Sequence, residues 1–285
     1  MVAADESIPQ IRTDVPASAR MYGWALGGKD NYEIDRQFVL EGAKLFPEGI
    51  NMARENRLFL YRVVRYLAAE AGIRQFIDLG CGLPTDNNTH QVAQKHAPDA
   101  RVVYVDIDPI VLAHARALLA GDGSTVVITA DMRDPEAILE HPDTKRLIDF
   151  SEPLAVLYLS VGHHLLDADN PRTVLHGVID RAVPGSHLAF TQVVSDDPDA
   201  RAKSNEQMKK SGVPWQTRSP EEVDALLLGG GLEPVEPGLL DINDWRPDPN
   251  QPPLPPVPKE LEPFVKTATL RRTVYEYGGL LIKTG

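Results

Sequence analysis

The feature that most constrains the fold is an alternation of short apolar strands and helices that begins at residue 74 of the 285-residue chain. Strands are predicted at residues 75–79, 101–106, 125–129, 154–160 and 186–194. Helical patterns separate them, at about residues 85–96, 109–119, 135–140 and 171–182. Such an alternation joins parallel strands by right-handed crossovers and covers both faces of the sheet with helices. The sequence therefore predicts a doubly wound α/β fold.

The C-terminal part of the chain continues with a polar helix over residues 200–211 and a helix that starts at Ser219. Pro220 and Glu222 follow Ser219 at the positions that favour a helix start. Eight of the 24 prolines lie within residues 247–263, and proline lacks the backbone donor that helices and sheets need. This stretch is therefore predicted as a long surface loop. The two strands that it is expected to connect are residues 235–240 and 275–283.

Residues 16–72, ahead of the first strand, have helical patterns only. Ser18 is predicted to cap a short helix that ends at Gly27-Gly28. Asp30 or Asn31 is predicted to cap the next helix.

A third helix has the clearest apolar stripe and ends at Gly72. Its charged residues are expected to lie mostly outside that stripe: Arg54, Arg57, Arg62 and Glu70. We therefore expect residues 1–73 to form a helical cap, or lid, and residues 74–285 to form the α/β domain.

The first strand ends in Asp78-Leu79-Gly80-Cys81-Gly82-Leu83-Pro84. A strand that ends in Gly-x-Gly ahead of a helix lets a nucleotide-type ligand approach the backbone closely. Asp78 would repel a pyrophosphate, but it would attract the ammonium and sulfonium charges of S-adenosylmethionine. Pro84 stands where a dinucleotide fingerprint has its third glycine, and proline removes a donor from a phosphate cradle. Asp78, Gly80 and Gly82 are therefore predicted to bind S-adenosylmethionine.

Acidic residues also end the second and third strands. Asp106 ends the second strand 24 residues after Gly82, where α/β nucleotide sites bind ribose hydroxyls. The neighbouring Ile107 is included in the predicted site, and Asp108 is expected to cap the following helix. After the third strand, Asp131 is predicted to meet the adenine amino group. Met132, the next residue, is predicted to pack on the adenine ring.

Several motifs give the chain a family resemblance. They are Pro16-x-Ser18-x-x-Arg20-x-Tyr22, Leu26-Gly27-Gly28-Lys29-Asp30-Asn31, Ala53-Arg54-x-Asn56-Arg57, the glycine loop through Thr85, and Val103-Tyr104-Val105-Asp106-x-Asp108-Pro109. With these motifs, residues 16–285 resemble a bacterial family of S-adenosylmethionine-dependent methyltransferases long catalogued as a domain of unknown function. The resemblance implies the class I methyltransferase fold, with strand order 3-2-1-4-5-7-6, an antiparallel last strand and S-adenosylmethionine as cofactor. One departure is Trp24, where the pattern usually has tyrosine.

The resemblance also extends the expected site into the N-terminal helices, which commonly cover the cofactor in this fold. Arg20 is then expected to hold the methionine carboxylate, with Tyr22 and Asn31 as further contacts. The alternative is that Arg20 is a solvated helix residue and that the glycines only end the helix.

Two histidines follow the fourth strand in Ser160-Val161-Gly162-His163-His164. Groups at the carboxyl end of a strand lie where α/β sheets place reactive residues. His163 or His164 is therefore a candidate general base, and Ser160 is placed with the cofactor-binding residues. The alternative is a loop histidine bonded to nearby backbone. Histidine and acidic residues have no metal-ligand spacing, so no metal is expected.

Composition excludes other classes of function. The net charge of −12 argues against a phosphate-binding surface for DNA or RNA. No apolar run is long enough to cross a membrane, and the N-terminal stretch lacks the features of a secretory signal. The single cysteine, Cys81, rules out an internal disulfide. We expect a cytoplasmic protein whose oligomeric state the sequence does not define.

The function predicted from these observations is methyl transfer from S-adenosylmethionine to a small-molecule acceptor, with oxygen slightly ahead of nitrogen. A catalytically silent S-adenosylmethionine-binding or regulatory protein is the alternative from another class. An NAD-dependent oxidoreductase is disfavoured by Asp78 and Pro84.

Overall fold

The computed structural model describes residues 12–118, 123–267 and 272–285. Its centre is an eight-stranded sheet, with β1 to β5 parallel and β8 antiparallel between β5 and β6. The strands are β1 (Gln75–Leu79), β2 (Arg101–Asp106), β3 (Thr125–Thr129), β4 (Ala155–Tyr158), β5 (His187–Val194), β6 (Leu232–Pro234), β7 (Leu240–Asp241) and β8 (Tyr275–Lys283). Their order is 3-2-1-4-5-8-6, and β7 is a short addition that pairs with β8. The predicted class I order is confirmed, with β8 in the place of the seventh strand.

Eleven α-helices lie within the described residues. They are α1 (Ser18–Ala25), α2 (Glu33–Leu45), α3 (Gly49–Ala69), α4 (Thr89–His96), α5 (Pro109–Leu118), α6 (Pro135–Glu140), α7 (Pro142–Leu147), α8 (Pro171–Ile179), α9 (Pro198–Lys209), α10 (Pro220–Leu227) and α11 (Glu262–Thr267).

The sheet separates two hydrophobic cores because side chains alternate between its faces. Along β1, Ile77 and Leu79 pack into one core, with residues of α6, α8 and α10. Phe76 packs into the other core, with residues of α3 and α4. Strands β1, β2, β4 and β5 are buried on both sides, as their nearly continuous apolar sequences predict.

Helix α3 belongs to this core although it precedes the sheet. Its fully buried Phe59, Val63 and Leu67 pack with residues of β1 and β2. The expectation that its charged residues lie outside the stripe is wrong for Arg57 and Arg62, which are buried. Arg62 donates to the carbonyl oxygens of Ile242 and Trp245, which satisfies its buried guanidinium. The division at residues 73 and 74 stays a prediction.

Helix α1 ends at Gly27-Gly28, as predicted. Gly27 has φ +88°, and its amide donates to Trp24 O, while that of Gly28 donates to Gly23 O. This is the Schellman arrangement, in which a left-handed residue satisfies the last carbonyls of a helix.

Three predicted helix starts differ from the structure. Ser18 is the first residue of α1 and does not cap it, because its hydroxyl contacts His164. Neither Asp30 nor Asn31 caps α2, since the Asp35 carboxylate turns back to the Tyr32 amide.

The third predicted start that differs is that of α4, which begins at Thr89, four residues later than predicted, with Asn88 as its N-cap. The glycine loop is therefore followed by an irregular segment before the helix begins.

The C-terminal predictions are confirmed in part. Ser219 caps α10 in a capping box with Glu222. The strand predicted at residues 235–240 is instead two short strands, β6 and β7, on either side of Gly238 (φ +104°). The proline-rich segment 247–263 is irregular until α11 begins at Glu262. Residues 1–11 and the predicted end of α5 at residue 119 lie outside the described residues.

Candidate functional site

A cavity of about 440 Å³ opens at the carboxyl ends of β1 to β4, with α1 as part of its wall. This is where ligands bind in open α/β sheets, and the volume suits a small molecule or cofactor. The structure brings ten predicted residues to this wall: Tyr22, Asp78, Gly80, Gly82, Asp106, Ile107, Asp131, Met132, Ser160 and His164.

The glycine loop is held by the neighbouring strand. Gly80 (φ +69°) donates from its amide to Val105 O at 2.8 Å, and a Cβ there would lie 2.7 Å from Val161 Cγ1. Gly82 (φ +66°) has open space where a Cβ would stand. Both positions need glycine for backbone conformation, and Gly80 needs it for packing as well.

Asp106 joins this loop to the end of β2. One carboxylate oxygen accepts the Gly82 amide at 2.9 Å, and the other accepts the Asp108 amide at 2.8 Å. Burial raises the pKa of Asp106, while these two amides oppose the rise. The oxygen that accepts the Gly82 amide also accepts the Cys81 thiol, at 3.9 Å. The oxygen that accepts the Asp108 amide has a second lone pair with capacity for a hydroxyl. Asp108 caps α5 through the Ile110 amide, as predicted.

Asp78 is buried at the floor of the cavity. One of its oxygens accepts the Thr89 hydroxyl at 2.6 Å. Burial raises the pKa of Asp78 to about 6, against the lowering effects of Thr89 and Arg57. The carboxylate is therefore mostly ionised at neutral pH and available to a cation.

Apolar and acidic side chains form the outer wall. Ile107 is 62% exposed although it is a large apolar residue, and Met132 is half-buried beside the same cavity. Together they offer apolar contact to a flat ring. Asp131 is engaged by the Arg133 guanidinium, at 2.6 Å from its Nη2, and this half-exposed pair is weak enough for a ligand to rearrange.

The structure does not bring Arg20 and Asn31 to the cavity. Arg20 is buried and forms a bidentate pair with Asp35, at 2.7 and 3.0 Å. It also donates to the carbonyl oxygens of Arg12 and Val15, so it anchors the N-terminal segment to α2. The amide of Asn31 donates to Gly28 O and its carbonyl accepts from Arg36.

Arg57 is the cation that the sequence prediction missed. It is buried on α3 and lines the cavity. Its Nη2 donates to Asp86 O and Asn88 Oδ1, while its Nε has no partner among the described residues. The available signal was the motif Ala53-Arg54-x-Asn56-Arg57, which contains this arginine.

A second cavity, of about 190 Å³, adjoins the first, and the two share Ser18, Tyr22 and Ser160 in their walls. It lies between α1 to α3 on one side and α9 on the other. Its lining is mostly apolar.

Tyr22 and Ser160 are connected by hydrogen bonds through the sheet. Asn56 donates to the Tyr22 hydroxyl at 2.9 Å and accepts from the Thr191 hydroxyl at 2.7 Å. The Ser160 amide donates to the same Thr191 oxygen at 2.6 Å. Ser160 has φ +57°, an uncommon conformation for a residue with a side chain, and this network holds it.

The two histidines have different surroundings. His163 is buried on the second cavity, and its Nδ1 accepts the Val193 amide at 3.3 Å, so the neutral ring carries its proton on Nε2. Burial holds the pKa of His163 well below its usual range. His164 lines the first cavity, with Nδ1 at 2.7 Å from Pro214 O and Nε2 at 2.9 Å from the Ser18 hydroxyl. Since Nδ1 must donate to the carbonyl, Nε2 is the basic atom. That either histidine is a general base stays a prediction.

These donors and charges fit S-adenosylmethionine better than a pyrophosphate ligand. The first cavity is lined by two arginines, Arg57 and Arg133, and by four aspartates: Asp78, Asp106, Asp108 and Asp131. The arrangement offers a guanidinium for a carboxylate, carboxylates for an ammonium and for ribose hydroxyls, and apolar side chains for a base.

Two observations concern other kinds of ligand or location. Within residues 12–118, 123–267 and 272–285, no group of three or more metal-ligating side chains is present. In the same part of the chain, every helix is too short or too polar to cross a bilayer.

Comparisons with known proteins agree with this arrangement. The family model described as S-adenosyl methyltransferase matches residues 4–283. A protein of Thermobifida fusca YX, provisionally described as a methyltransferase, has 42% sequence identity and a TM-score of 0.82, over 96% of this chain and 97% of that one. A DUF574 family protein from Streptomyces avermitilis MA-4680 has 31% identity and a TM-score of 0.82, over 96% and 100%. No curated protein matches at a significant level.

The family match covers the residues that form the sheet and the glycine loop. The chain therefore belongs to the S-adenosyl methyltransferase family, and S-adenosylmethionine is its cofactor.

Proposed function

We propose that this protein transfers a methyl group from S-adenosylmethionine to a small-molecule acceptor, with oxygen ahead of nitrogen as the acceptor atom. The observation that carries the proposal is the pair of adjoining cavities, which share Ser18, Tyr22 and Ser160. The polar cavity suits the cofactor, and the apolar one suits an acceptor. Methyl transfer requires the two reactants to meet in line, and positioning alone supplies much of the acceleration.

The roles proposed for the residues of the first cavity follow from their charges. Asp78 would bind the ammonium group, Arg57 the carboxylate and Asp106 the ribose hydroxyls. Ile107 and Met132 would enclose the adenine ring, with Asp131 at its amino group. When bound, the cofactor supplies an electrophilic methyl group on a positively charged sulfur.

An acceptor hydroxyl must also lose its proton when it gains the methyl group, so a base contributes to transfer to oxygen. His164 is the histidine whose geometry fits this proposed role, because its basic Nε2 faces the Ser18 hydroxyl between the cavities. His163 is less suited, since its Nδ1 lone pair already accepts the Val193 amide.

A single half-buried cysteine supports a cytoplasmic location.

Calorimetric titration tests the cofactor assignment. We expect S-adenosylhomocysteine to bind and NAD not to bind, because the carboxylates around the glycine loop disfavour a pyrophosphate. The Asp106→Ala variant should lose about 1.5–3 kcal/mol of binding free energy, as expected when a hydrogen bond to a charged group is removed.

Asp134→Ala is the matched control, since Asp134 also caps a helix, α6, and does not line the cavity. It should keep its affinity for S-adenosylhomocysteine. NAD binding without S-adenosylhomocysteine binding would contradict the proposal. Binding of S-adenosylhomocysteine with no methyl transfer to any molecule in a labelled-methyl screen would favour the catalytically silent alternative.

A further inference from the structure

The second cavity has an apolar wall of large, adaptable side chains. Phe38 and Phe46 come from α2 and its end, Met52 from α3, Met208 from α9, and Trp215 from the following loop. Neither lysine nor arginine lines this cavity within the described residues. A volume of about 190 Å³ is close to that of cavities that hold one benzene ring, about 150 Å³. Such a site excludes an anionic group and suits a ring-sized, mostly apolar molecule.

Glu276 is the single carboxyl group in the wall of this cavity among the described residues. It comes from β8 and is 1% exposed. Its Oε1 accepts the Ser160 hydroxyl at 2.5 Å, and Ser160 lines both cavities. The carboxyl group is therefore next to the junction where a cofactor and an acceptor would meet.

The second oxygen of Glu276, Oε2, is buried and has no hydrogen-bond partner in the described part of the chain. The neighbouring Thr191 hydroxyl lowers the pKa of Glu276, but its hydrogen is donated to Asn56 Oδ1. A buried carboxyl oxygen without a donor costs folding free energy. A site of this kind is expected where a ligand completes the interaction.

We propose, building on the proposed function, that Glu276 binds the methyl acceptor through Oε2, and that the acceptor is a neutral, ring-sized, mostly apolar molecule with a hydroxyl or amine group. The hydrogen of that group donates to Oε2, and the ring packs against the apolar wall. Ser160 holds the carboxyl group in place through Oε1.

Fragment binding measured by fluorine NMR tests this inference directly, in the full-length protein with and without S-adenosylhomocysteine. The measurement is made at pH 9, where the Glu276 carboxyl group, with a pKa of about 8, is mostly ionised. The probes are 4-fluorophenol, which has the hydrogen-bond donor, and 4-fluoroanisole, in which a methyl group replaces that hydrogen. Two more probes, 4-fluoroaniline and 4-fluorobenzoate, extend the comparison to a neutral amine and to an anion. We expect the wild-type protein to bind 4-fluorophenol or 4-fluoroaniline more tightly than 4-fluoroanisole, and 4-fluorobenzoate least.

The Glu276→Gln variant keeps the shape of the side chain but places an amide donor beside the cavity. It should lose about 10- to 100-fold in its preference for the donor probes while its affinity for 4-fluoroanisole, which reports the apolar wall, stays within about threefold. Glu233→Gln is the matched control, because Glu233 is exposed on the neighbouring strand β6. It should behave as the wild type.

Equal affinities for 4-fluorophenol, 4-fluoroaniline and 4-fluoroanisole in the wild type, or an unchanged preference in Glu276→Gln, would overturn the inference. If the variant fails to fold, Ser160→Ala provides the second test, since it removes the hydrogen bond that fixes the carboxyl group and should also reduce the preference. Failure of S-adenosylhomocysteine to bind would instead contradict the proposed function. The two failures are distinguishable because the preference among the probes is also measured in the absence of S-adenosylhomocysteine.

Discussion

At the residue scale, two side chains are candidates to take the proton of the proposed hydroxyl acceptor. His164 is one of the two histidines predicted from the sequence, and it reaches the second cavity through the Ser18 hydroxyl. Glu276 lies in the wall of that cavity and has an oxygen without a partner among the described residues. A direct contact transfers a proton more readily than one through an intervening hydroxyl, so we propose the ionised form of Glu276 as the base. Burial raises the pKa of Glu276 to about 8, so turnover should increase as the pH rises from 6 to 8.

Turnover of an acceptor found in a labelled-methyl screen separates the two residues. We expect Glu276→Gln to lower turnover by about 10²–10⁴-fold, the range for loss of a general base, and His164→Ala to lower it less than tenfold. Neither variant should change the affinity for S-adenosylhomocysteine by more than about threefold. If His164→Ala lowers turnover more than Glu276→Gln does across pH 6–9, His164 is the residue that takes the proton.

Several residues predicted to bind the cofactor line the first cavity because they lie at or near the end of a strand. Asp78, Asp106 and Asp131 lie near the carboxyl ends of β1, β2 and β3, and parallel strands bring these ends to one edge. Arg20 and Glu276 could not be assigned in this way. Arg20 has an acidic partner 15 residues along the chain, and Glu276 meets Ser160 across 116 residues, so each contact depends on tertiary packing.

At the element scale, helix α1 has the contacts of a cover over the cofactor site. Residues 16–19 and Tyr22 line the first cavity. Ser18 contacts His164 and Tyr22 contacts Asn56, each through one hydrogen bond. A firmer anchor is Asp35 on α2, which accepts from the Ala17 amide and from Arg20. The helix is therefore held at its base and more weakly over the cavity.

Hydrogen exchange with and without S-adenosylhomocysteine tests this role. Amides of residues 16–35 should exchange more slowly with the ligand, because a filled cavity adds contacts to the weakly held side of α1. Helix α10 is the internal control, since it lines neither cavity. If protection of residues 16–35 is unchanged while the ligand is bound, α1 is a static part of the wall.

The elements that were predicted well have local signals, and those predicted poorly do not. Strands β1, β2 and β3 begin and end at the predicted residues, because parallel strands have short apolar runs rich in β-branched and aromatic residues, bounded by polar or turn residues. The start of α4 was predicted at residue 85, four residues too early, because Asn88 is the N-cap of the helix. The segment around Gly238 was predicted as one strand because its apolar pattern does not indicate that the chain turns at Gly238.

At the scale of the whole molecule, burying the Glu276 carboxyl group in the wall of the second cavity lowers the stability of the protein. Burial is the main reason that the pKa of Glu276 rises from 4.5 to about 8, and Glu55 and Asp241 raise it further. Both of these carboxylates pair with Arg272, at 2.6 and 2.8 Å, which limits their effect. An apolar residue at position 276 would avoid the cost, so the carboxyl group is better explained by function than by folding.

The pH dependence of unfolding measures this cost. Because the pKa of Glu276 is higher in the folded protein than in the unfolded chain, the folded protein binds more protons between pH 4.5 and 8. The contribution of Glu276 to stability is therefore greatest below pH 4.5 and falls as the pH rises through that interval.

Urea unfolding of the wild type and of Glu276→Gln at pH 5 and pH 8 isolates this contribution, because the other groups that titrate are common to both proteins. We expect the free energy of unfolding of Glu276→Gln, relative to the wild type, to increase by at least about 1 kcal/mol from pH 5 to pH 8. Glu233→Gln should show no such increase, since Glu233 is exposed. If the difference between Glu276→Gln and the wild type is the same at both pH values, the carboxyl group is not held protonated by burial, and the cost assigned to the cavity is wrong.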